Sequence, residues 1–382
     1  MKLSCLQENL SRGLGIVGRA VANRSTLPIT QNVLISTDQS MLKLSATNLE
    51  IAMTTWIGAM VEEEGTITVP ARLLTEFVNS LPSERIDIEL EQGSGVLKLS
   101  CGQNKANIHG ADPSEFPPIP TVEDGIAASV DPAVLRAAIN RVAFAAATEE
   151  SRPVLTGVEL KLGGDKFSLA AADGFRLAVQ HGALNAPVDT EMKVIVPART
   201  LNEIGRLLSD QEEPVEIVMS PAKGQVLFRV TGSQTIETVS QLLQGSFPNY
   251  EQLIPQSYET RAIFDLPALL RAARTAAIFA RDGSNIIRLH VVPGENGDSQ
   301  GKVIISAKSE EVGDNEDEVV ADTIEGGEGK IAFNSRYLLD VLQVLERGKV
   351  ALETTTSSSP GVFKPTDSEE YIHVVMPMFV QW

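Results

Sequence analysis

The sequence predicts an α+β protein built from three tandem copies of one domain, each with two helices packed on antiparallel strands. Three observations predict this class. The tetrapeptide VPAR occurs at 69–72 and again at 196–199, an interval of about one third of the 382-residue chain. Each third repeats one order: a helical stretch, alternating apolar strands, a second helix and closing strands. Domains usually contain about 100 to 150 residues, so the length also fits three copies.

The first helix of each copy is an amphipathic stretch. The three stretches occupy 4–24, 131–150 and 265–284. In the second and third copies, Asp131 and Asp265 are suitable N-caps, and Pro132 and Pro267 fall in the first turn. These residues predict where two of the helices begin.

Strands and a second helix follow in the same order in every copy. Alternating apolar residues predict strands at 33–53, 157–179, 286–292 and 302–308. A short strand and a helix follow at 67–82, 194–209 and 331–347, and the third copy keeps only the arginine of VPAR, as Arg336. Further strands close the copies at 86–108, 215–239, 350–365 and 371–378.

Two proline-rich segments, 112–125 and 245–259, separate the copies. Each contains a Phe-Pro step, Phe116-Pro117 in the first and Phe247-Pro248 in the second. Proline fixes φ and donates no backbone hydrogen bond, so we expect stiff connectors. The predicted domains are therefore 1–124, 125–257 and 258–382.

Composition indicates a folded protein without a metal or redox site. The chain is 43% apolar and 21% charged, and no apolar run approaches the roughly 18 residues that span a bilayer. Glu8 and Arg12 interrupt any signal-peptide pattern, so we expect a cytoplasmic protein that binds no membrane. Cys5 and Cys101 lack metal spacing and are expected to be reduced core thiols. The four histidines are scattered, and we expect no metal and no cofactor.

Three short patterns imitate ligand sites. GLGIVG at 13–18 lies inside a predicted helix rather than at a strand-to-helix turn, which argues against a dinucleotide site. NGDSQGKV at 296–303 lacks the first glycine and the final Ser or Thr of a phosphate-binding loop. DNEDE at 314–318 lacks the glycine and the last glutamate of a calcium loop. We expect 310–322 to be a solvated acidic loop.

Four longer sequences occur in an order typical of one family: RSTLPI at 24–29, ADGFRLAV at 172–179, SFPNYEQLIP at 246–255 and VVMPM at 374–378. Together with the threefold repeat, they resemble the bacterial DNA polymerase III beta subunits, the sliding clamps, over the whole chain. The resemblance implies three DNA-clamp domains per chain and a head-to-tail homodimer. Two chains would form a six-domain ring around double-stranded DNA. It also implies a processivity factor that catalyses nothing.

Such a ring predicts DNA contacts from arginines on its helices. The net charge is −18, yet the six helical stretches, counted over 4–24, 70–84, 131–150, 197–210, 265–283 and 334–347, hold 13 Lys and Arg against 12 Asp and Glu, so the acidity lies elsewhere. Phosphate contacts carry no sequence information, which suits movement along any template. Arg24 is the first candidate because it begins RSTLPI; the others are Arg72, Arg141, Arg199, Arg206, Arg274 and Arg281. For each helix arginine, the alternative is a solvated or ion-paired surface side chain.

The resemblance also implies a groove between the second and third domains that binds short peptide motifs. Its partners would be the DNA polymerase III alpha subunit, the clamp-loader ATPase, and other polymerases and repair proteins that carry a clamp-binding motif. The matching residues are Leu155, Ala172, Gly174, Phe175, Arg176, Leu177, Pro248, Val374, Val375, Met376, Pro377 and Met378. The alternative for VVMPM is a final buried strand, although proline is unfavourable in a central strand. The FVQW ending departs from the family, and Phe379 or Trp382 could fill part of the groove.

By the same resemblance, the dimer seam joins an edge strand of the first domain to the third domain. The implied residues are Lys105, Ala106 and Ile108 on one side and Ile278 and Phe279 on the other. Two other classes stay open at this point. One is a hydrolase with Asp173 or the acidic segment as base, although no His, Cys or Ser constellation supports it. The other is a tandem-repeat scaffold that does not bind DNA.

Overall fold

The computed structural model of the chain describes residues 1–23, 26–91, 93, 95–149, 151–232, 234–281, 284–294 and 300–382. The predicted contact Arg24 and residues 296–299 of the loop-like segment 296–303 lie outside these residues. The described residues form two compact units, one of 1–136, 163–165 and 184–243 and one of 137–162, 166–183 and 244–382. The strand pairings are antiparallel, so the predicted α+β class is confirmed.

The described residues contain two α-helices in each sequence copy. They are α1 (Gln7–Val17), α2 (Ala71–Ser80), α3 (Pro132–Val142), α4 (Ala198–Leu207), α5 (Leu266–Arg281) and α6 (Ser335–Val344). The Asp131 carboxylate accepts hydrogen bonds from the backbone N of Ala133 at 2.9 Å and of Val134 at 3.0 Å. Asp265 accepts one from Ala268 at 3.1 Å. Both predicted N-caps are therefore confirmed.

The first helix is shorter than its sequence pattern suggests. Residues Lys2–Leu6 form a strand, β1, instead of the helix start predicted from residue 4. Leu3 and Cys5 are buried in this strand. Strand partners on both sides supply hydrogen bonds and burial that local helix propensity does not offer, so the tertiary context decides.

The first unit contains two sheets. The five-stranded sheet has the order β5-β1-β7-β8-β9, with β5 (Met60–Glu63), β7 (Arg85–Leu90), β8 (Val96–Cys101) and β9 (Asn104–His109). The eight-stranded sheet has the order β10-β13-β14-β15-β4-β3-β2-β6. Its strands are β2 (Asn32–Asp38), β3 (Met41–Thr47), β4 (Ile51–Gly58), β6 (Thr66–Pro70), β10 (Ile126–Val130), β13 (Val215–Ser220), β14 (Gln225–Thr231) and β15 (Thr235–Gln241).

The second unit is organised around a ten-stranded sheet with the order β11-β12-β23-β22-β21-β16-β19-β18-β17-β20. Its strands are β11 (Gly157–Ala172), β12 (Arg176–Pro197), β16 (Thr260–Asp265), β17 (Ile286–Val292), β18 (Gly301–Ser309), β19 (Gly313–Gly326), β20 (Gly329–Asn334), β21 (Lys349–Thr354), β22 (Gly361–Pro365) and β23 (Tyr371–Val375).

Strands of the middle sequence copy pair with strands of both neighbouring copies. β15 pairs with β4 of the first copy, and β12 pairs with β23 of the third. The middle copy thus contributes strands to both the eight-stranded and the ten-stranded sheets. This explains why three copies give two compact units. The boundaries at 124/125 and 257/258 remain a prediction.

The acidic segment 310–322 is not the loop that its composition predicts. Gly313–Gly326 form β19, which pairs with β18 from Ser309↔Gly313 to Gly301↔Ala321. Val319 and Ala321 are buried, while Asp314 and Glu316 are exposed. The ladder hydrogen bonds and the buried side chains stabilise a strand although the carboxylates stay in water.

The glycines of GLGIVG serve packing. A Cβ on Gly13 would lie 2.5 Å from Ile57 Cδ1, so the missing side chain lets α1 lie close to β4.

The cysteines are free and buried as predicted, and burial raises the pKa of Cys5 to about 12. No helix in the described residues is long and apolar enough to cross a membrane.

Candidate functional site

Three residues of the predicted peptide groove meet in one apolar cluster of the second unit. Ala172 ends β11, Leu177 lies near the start of β12, and Val374 lies in β23 opposite Leu177. The antiparallel register of β12 and β23 brings Leu177 and Val374 together. The rest of the cluster consists of Ala170, Val179, Tyr250 and Val362, with Phe247, Ile254 and Ile372 packed against it. Pro248 follows Phe247 and is exposed.

A second part of the predicted groove is a cavity of about 150 Å³. Leu155, Phe175 and Arg176 line it, as the family resemblance implies. The cavity is also lined by residues that sequence reasoning missed, among them Arg152, Asp173, Arg336 and Tyr337. Arg336 and Tyr337 come from α6, more than 150 residues away from the ADGFRLAV motif, and no local pattern links the two segments.

A tight turn shapes this cavity. Gly174 has φ +93°, a conformation that favours glycine, and a Cβ here would lie 3.2 Å from Arg152 Nη1. Asp173 Oδ1 accepts hydrogen bonds from the backbone N of Phe175 at 2.9 Å and of Arg176 at 3.0 Å. The turn leaves the Phe175 ring 59% exposed, offering an apolar surface to a ligand.

Arg176 is the buried charge of the site, with 8% of its surface exposed. Its Nε donates to Asp173 Oδ2 at 3.0 Å, its Nη1 to Asp340 Oδ2 at 2.5 Å and its Nη2 to the Phe144 carbonyl at 2.9 Å. The guanidinium also lies 5.1 Å from the Phe144 ring and 4.7 Å from the Tyr337 ring. A buried charge needs such partners, so Arg176 shapes the cavity and its charge is already satisfied by the protein.

These contacts also bear on the hydrolase alternative. Both carboxylate oxygens of Asp173 accept hydrogen bonds from the protein. The carboxylate holds the turn and neutralises Arg176. It is not placed as a free general base with a reaction partner.

A neutral histidine lies in the same buried network. His373 of β23 is fully buried, its Nδ1 is 3.1 Å from Tyr371 Oη, and its ring stacks on Phe144 with centroids 5.5 Å apart. Burial, with a smaller effect of the positive Arg176, lowers the pKa of His373 to about 3. His373 is therefore uncharged at neutral pH.

The VVMPM motif is partly strand and partly exposed segment. Val374 and Val375 belong to β23, and Val375 is wholly buried. Beyond the strand, the Met376 backbone N donates to the Phe175 carbonyl at 2.8 Å and that of Met378 to the Ala332 carbonyl at 2.7 Å. Met376 is exposed and Pro377 is buried.

The chain after Met378 leads to β17. The Trp382 ring lies 5.9 Å from the Arg288 guanidinium, and Phe379 is exposed. Neither residue is among the described residues that line the 150 Å³ cavity. The structure therefore gives no support to a tail that fills the groove.

The predicted DNA-contact arginines fall into two groups. Arg72 pairs with Glu76 at 2.9 Å, Arg206 pairs with Glu203 at 2.6 Å, and Arg141 donates to Gln180 Oε1 at 3.2 Å. The ion-paired alternative thus holds for Arg72 and Arg206. Arg199 and Arg274 make up the second group: they are exposed and have no ion pair among the described residues. Arg281 is also exposed.

The helices are more basic than the stretches that predicted them. Helices α1 to α6 contain ten arginines and four carboxylates, a net charge of +6, so the rest of the chain carries −24 of the total −18. Most acidic residues of the longer stretches fall outside the helix bounds. On α5, one exposed stripe holds Arg271, Arg274, Ile278 and Arg281. Arg271 is not among the DNA contacts predicted from the sequence, although its spacing of three residues from Arg274 is visible there.

The predicted seam residues differ in exposure. β9 ends its sheet, with β8 as its neighbour. Lys105 is exposed and Ala106 half-buried, whereas Ile108 is 4% exposed and belongs to the core. Ile278 is 58% exposed and Phe279 half-buried. What β9 offers a partner is therefore mainly its backbone edge.

Family models match the chain along almost its full length. Models of the N-terminal, central and C-terminal domains of the DNA polymerase III beta subunit match residues 1–120, 129–249 and 251–379. The beta sliding clamps of Bacillus subtilis and Synechococcus elongatus are 30% and 33% identical to it, each over 99% of both chains.

Solved structures agree. The chain matches the DNA polymerase sliding clamp of Bacillus subtilis with a TM-score of 0.93 at 29% identity, covering both chains fully. It matches the DNA polymerase III subunit beta of Pseudomonas aeruginosa with a TM-score of 0.89 at 30% identity, again covering both fully. Three tandem clamp domains define the class of protein. This chain belongs to the DNA polymerase III beta subunit family, the sliding clamps.

Proposed function

We propose that this chain is the processivity clamp of a DNA polymerase. Two copies close head-to-tail into a six-domain ring that encircles duplex DNA and keeps the polymerase on its template. The observation that carries the proposal is the match of all three family domains, in order, along the chain. The ring retains its partners mechanically and catalyses no reaction, and we expect it to work in the cytoplasm.

The charge distribution supports sequence-independent DNA binding. Helices with net charge +6 in a chain of −18 attract phosphates locally, while the acidic remainder repels DNA. A few weak phosphate contacts suit a sliding ring because each tight contact would add salt-dependent affinity and slow it. We place these contacts at Arg199, Arg274 and Arg281, with Arg24 kept as a candidate.

The groove residues support peptide capture. The apolar cluster around Leu177 and Val374 lies beside exposed Phe175 and Met376. An unbranched, polarizable methionine adapts to different apolar side chains, which suits a surface with several partners. The polymerase alpha subunit, the clamp loader, and other polymerases and repair proteins would compete here through short motifs with apolar anchors.

Open strand edges support the ring. Among the described strands, β9 has one free edge and Gly313–Val320 of β19 pair with β18 alone, because β16 pairs with β19 from Ala321 onward. Exposed Lys105 on β9 and the carboxylates of β19 have opposite charges. We propose that the seam joins β9 of one copy to the third domain of the other, near β19, Ile278 and Phe279. Such a head-to-tail interface closes into a ring.

Retention on circular DNA tests the proposal. The protein should run as a dimer near twice 41.0 kDa. Once loaded, it should stay on nicked circular DNA and fall off when the circle is cut. Retention that does not change on linearisation would contradict the ring. Absence of retention on either form would favour a scaffold that does not bind DNA.

A further inference from the structure

The three sequence copies share a charge pair at the start of the second helix. An arginine and a carboxylate lie four residues apart: Arg72 and Glu76 in α2, Arg199 and Glu203 in α4, and Arg336 and Asp340 in α6. Residues at this spacing are neighbours on a helix surface and commonly pair. In α2 they do pair, with Arg72 Nε 2.9 Å from Glu76 Oε1.

In the other two copies, the carboxylate forms ion pairs with arginines other than the one four residues before it. Glu203 binds Arg19 at 3.0 Å and Arg206 at 2.6 Å. Asp340 forms an ion pair at 2.5 Å with Arg176, one of the predicted groove residues. Within the part of the chain that the structure describes, Arg199 and Arg336 are left without an ion pair.

Arg336 lines a cleft where further arginines meet. The cleft lies between α5 and α6 and has a volume of about 340 Å³. Arg274 and Arg281 of α5 line it, and Ser335 and Gln343 offer polar side chains. Asp340 is the one carboxylate among the described residues that line it, against three arginines, and it is ion-paired with Arg176. The cleft therefore presents a net positive charge.

We propose that the α5–α6 cleft binds the phosphate backbone of DNA, and that Arg176 sets its strength by keeping Asp340 from Arg336. This inference rests on the proposed clamp function and adds Arg336 to the DNA contacts. It also links the two sites, because the side chain that shapes the peptide groove determines the free charge of the DNA contact.

The proposed coupling between Arg176 and Arg336 predicts an effect that would not follow if the groove and the cleft were merely close together. If Arg176 becomes neutral, Arg336 is the nearest cation that Asp340 can reach on its own helix, four residues back. The new pair removes one phosphate-binding charge. Arg176→Gln should then weaken DNA contact although Arg176 is buried, and adding Asp340→Asn should reverse the loss.

The experiment is a salt titration of the full-length dimer with a fluorescein-labelled short linear duplex. Each lost phosphate contact lowers the slope of log affinity against log salt by about 0.9. Arg274→Ala, Arg336→Ala and Arg176→Gln should each lower the slope by about that amount. Arg176→Gln/Asp340→Asn should restore the wild-type slope. Arg72→Ala is the matched control: its arginine is already paired, and the change should be less than half as large.

Two outcomes would overturn the proposal: a wild-type slope for Arg336→Ala, or a double variant no better than Arg176→Gln. Arg336 is exposed, so the first outcome does not depend on a variant with a disturbed core. Circular dichroism and melting curves confirm folding of the others. Loss of wild-type protein from linearised circles tests the clamp function separately, since the slope measurement needs no closed circle.

Discussion

Arg176 shows how one side chain can determine a site at the residue scale. Its guanidinium joins the Asp173 turn to Asp340 of α6 and packs between two aromatic rings. Burial makes each of these partners necessary, because an unpaired charge in a low-dielectric site is costly. The same contacts fix the position of Phe175, the exposed ring of the groove.

Arg176→Ala should lower the free energy of unfolding by about 3 kcal/mol, because it removes the partner of two carboxylates at a buried position. It should also weaken binding of a clamp-binding peptide. Urea denaturation and fluorescence anisotropy measure the two effects. Arg261→Ala is the control, since Arg261 pairs with Glu325 and Glu353 but lies more exposed on β16. Equal destabilisation by both variants would contradict the special role of Arg176.

His373 should make the fold sensitive to acid. Its pKa is about 3 in the folded chain against 6.5 when unperturbed, so between these values the unfolded state binds a proton that the folded state does not. Stability should therefore fall as the pH falls from 6.5, by about 1.4 kcal/mol per unit from this residue. His373→Phe should flatten that part of the stability curve. His181→Gln, at a half-buried histidine, is the control; an unchanged slope in His373→Phe would refute the assignment.

At the element scale, the end of β23 and the residues after it have different tasks. Val374 and Val375 belong to a paired strand, whereas Met376 and Met378 are held by single backbone bonds to Phe175 and Ala332. Pro377 cannot donate to a ladder, which is consistent with the strand ending before it. The buried-strand alternative thus holds for Val374 and Val375, and the groove role of Met376 to Met378 stays a prediction.

Two truncations separate these tasks. Deletion of 376–382 should abolish peptide binding, because it removes Met376 and Met378 while β23 stays complete. Deletion of 379–382 should leave the peptide affinity within about twofold, since Phe379 and Trp382 do not line the cavity. Anisotropy with a labelled peptide measures both, and sedimentation should show dimers in each case. Equal affinities for the two truncations would contradict the placement of the groove.

At the scale of the whole molecule, the proposed ring closes through surfaces that the isolated chain leaves open. In the part of the chain that the structure describes, β9 and Gly313–Val320 of β19 each have an unpaired edge, and Ile278 is a large exposed apolar side chain. Open edges invite pairing with another chain, and a self-complementary arrangement of such edges closes them. The monomer is thus understandable as part of an assembly.

Ile278→Asp should convert the dimer into monomers, because it would place a charge in the proposed seam, where a buried charge is costly. Analytical ultracentrifugation at several concentrations measures the effect. Leu49→Asp, at another exposed apolar side chain outside the proposed seam, should leave the dimer intact. A dimer that survives Ile278→Asp would assign Ile278 to the arginine cleft of α5 alone.

The sequence by itself determined the repeat, the α+β class, the helix N-caps at Asp131 and Asp265 and the family. These depend on local periodicity, turn chemistry and the order of short motifs along the chain, all of which can be identified in the amino-acid sequence. Helix ends and the acidic strand β19 were less predictable, because strand pairing between distant segments overrides local propensity.

Only the tertiary structure decided which arginines are free. Arg72, Arg199 and Arg336 look alike in sequence, and each has a carboxylate four residues on. Arg176 and Asp340 are 164 residues apart in the chain, yet their side chains meet. Ion pairing depends on distance in space and on burial, and neither quantity is encoded in the neighbourhood of a single motif.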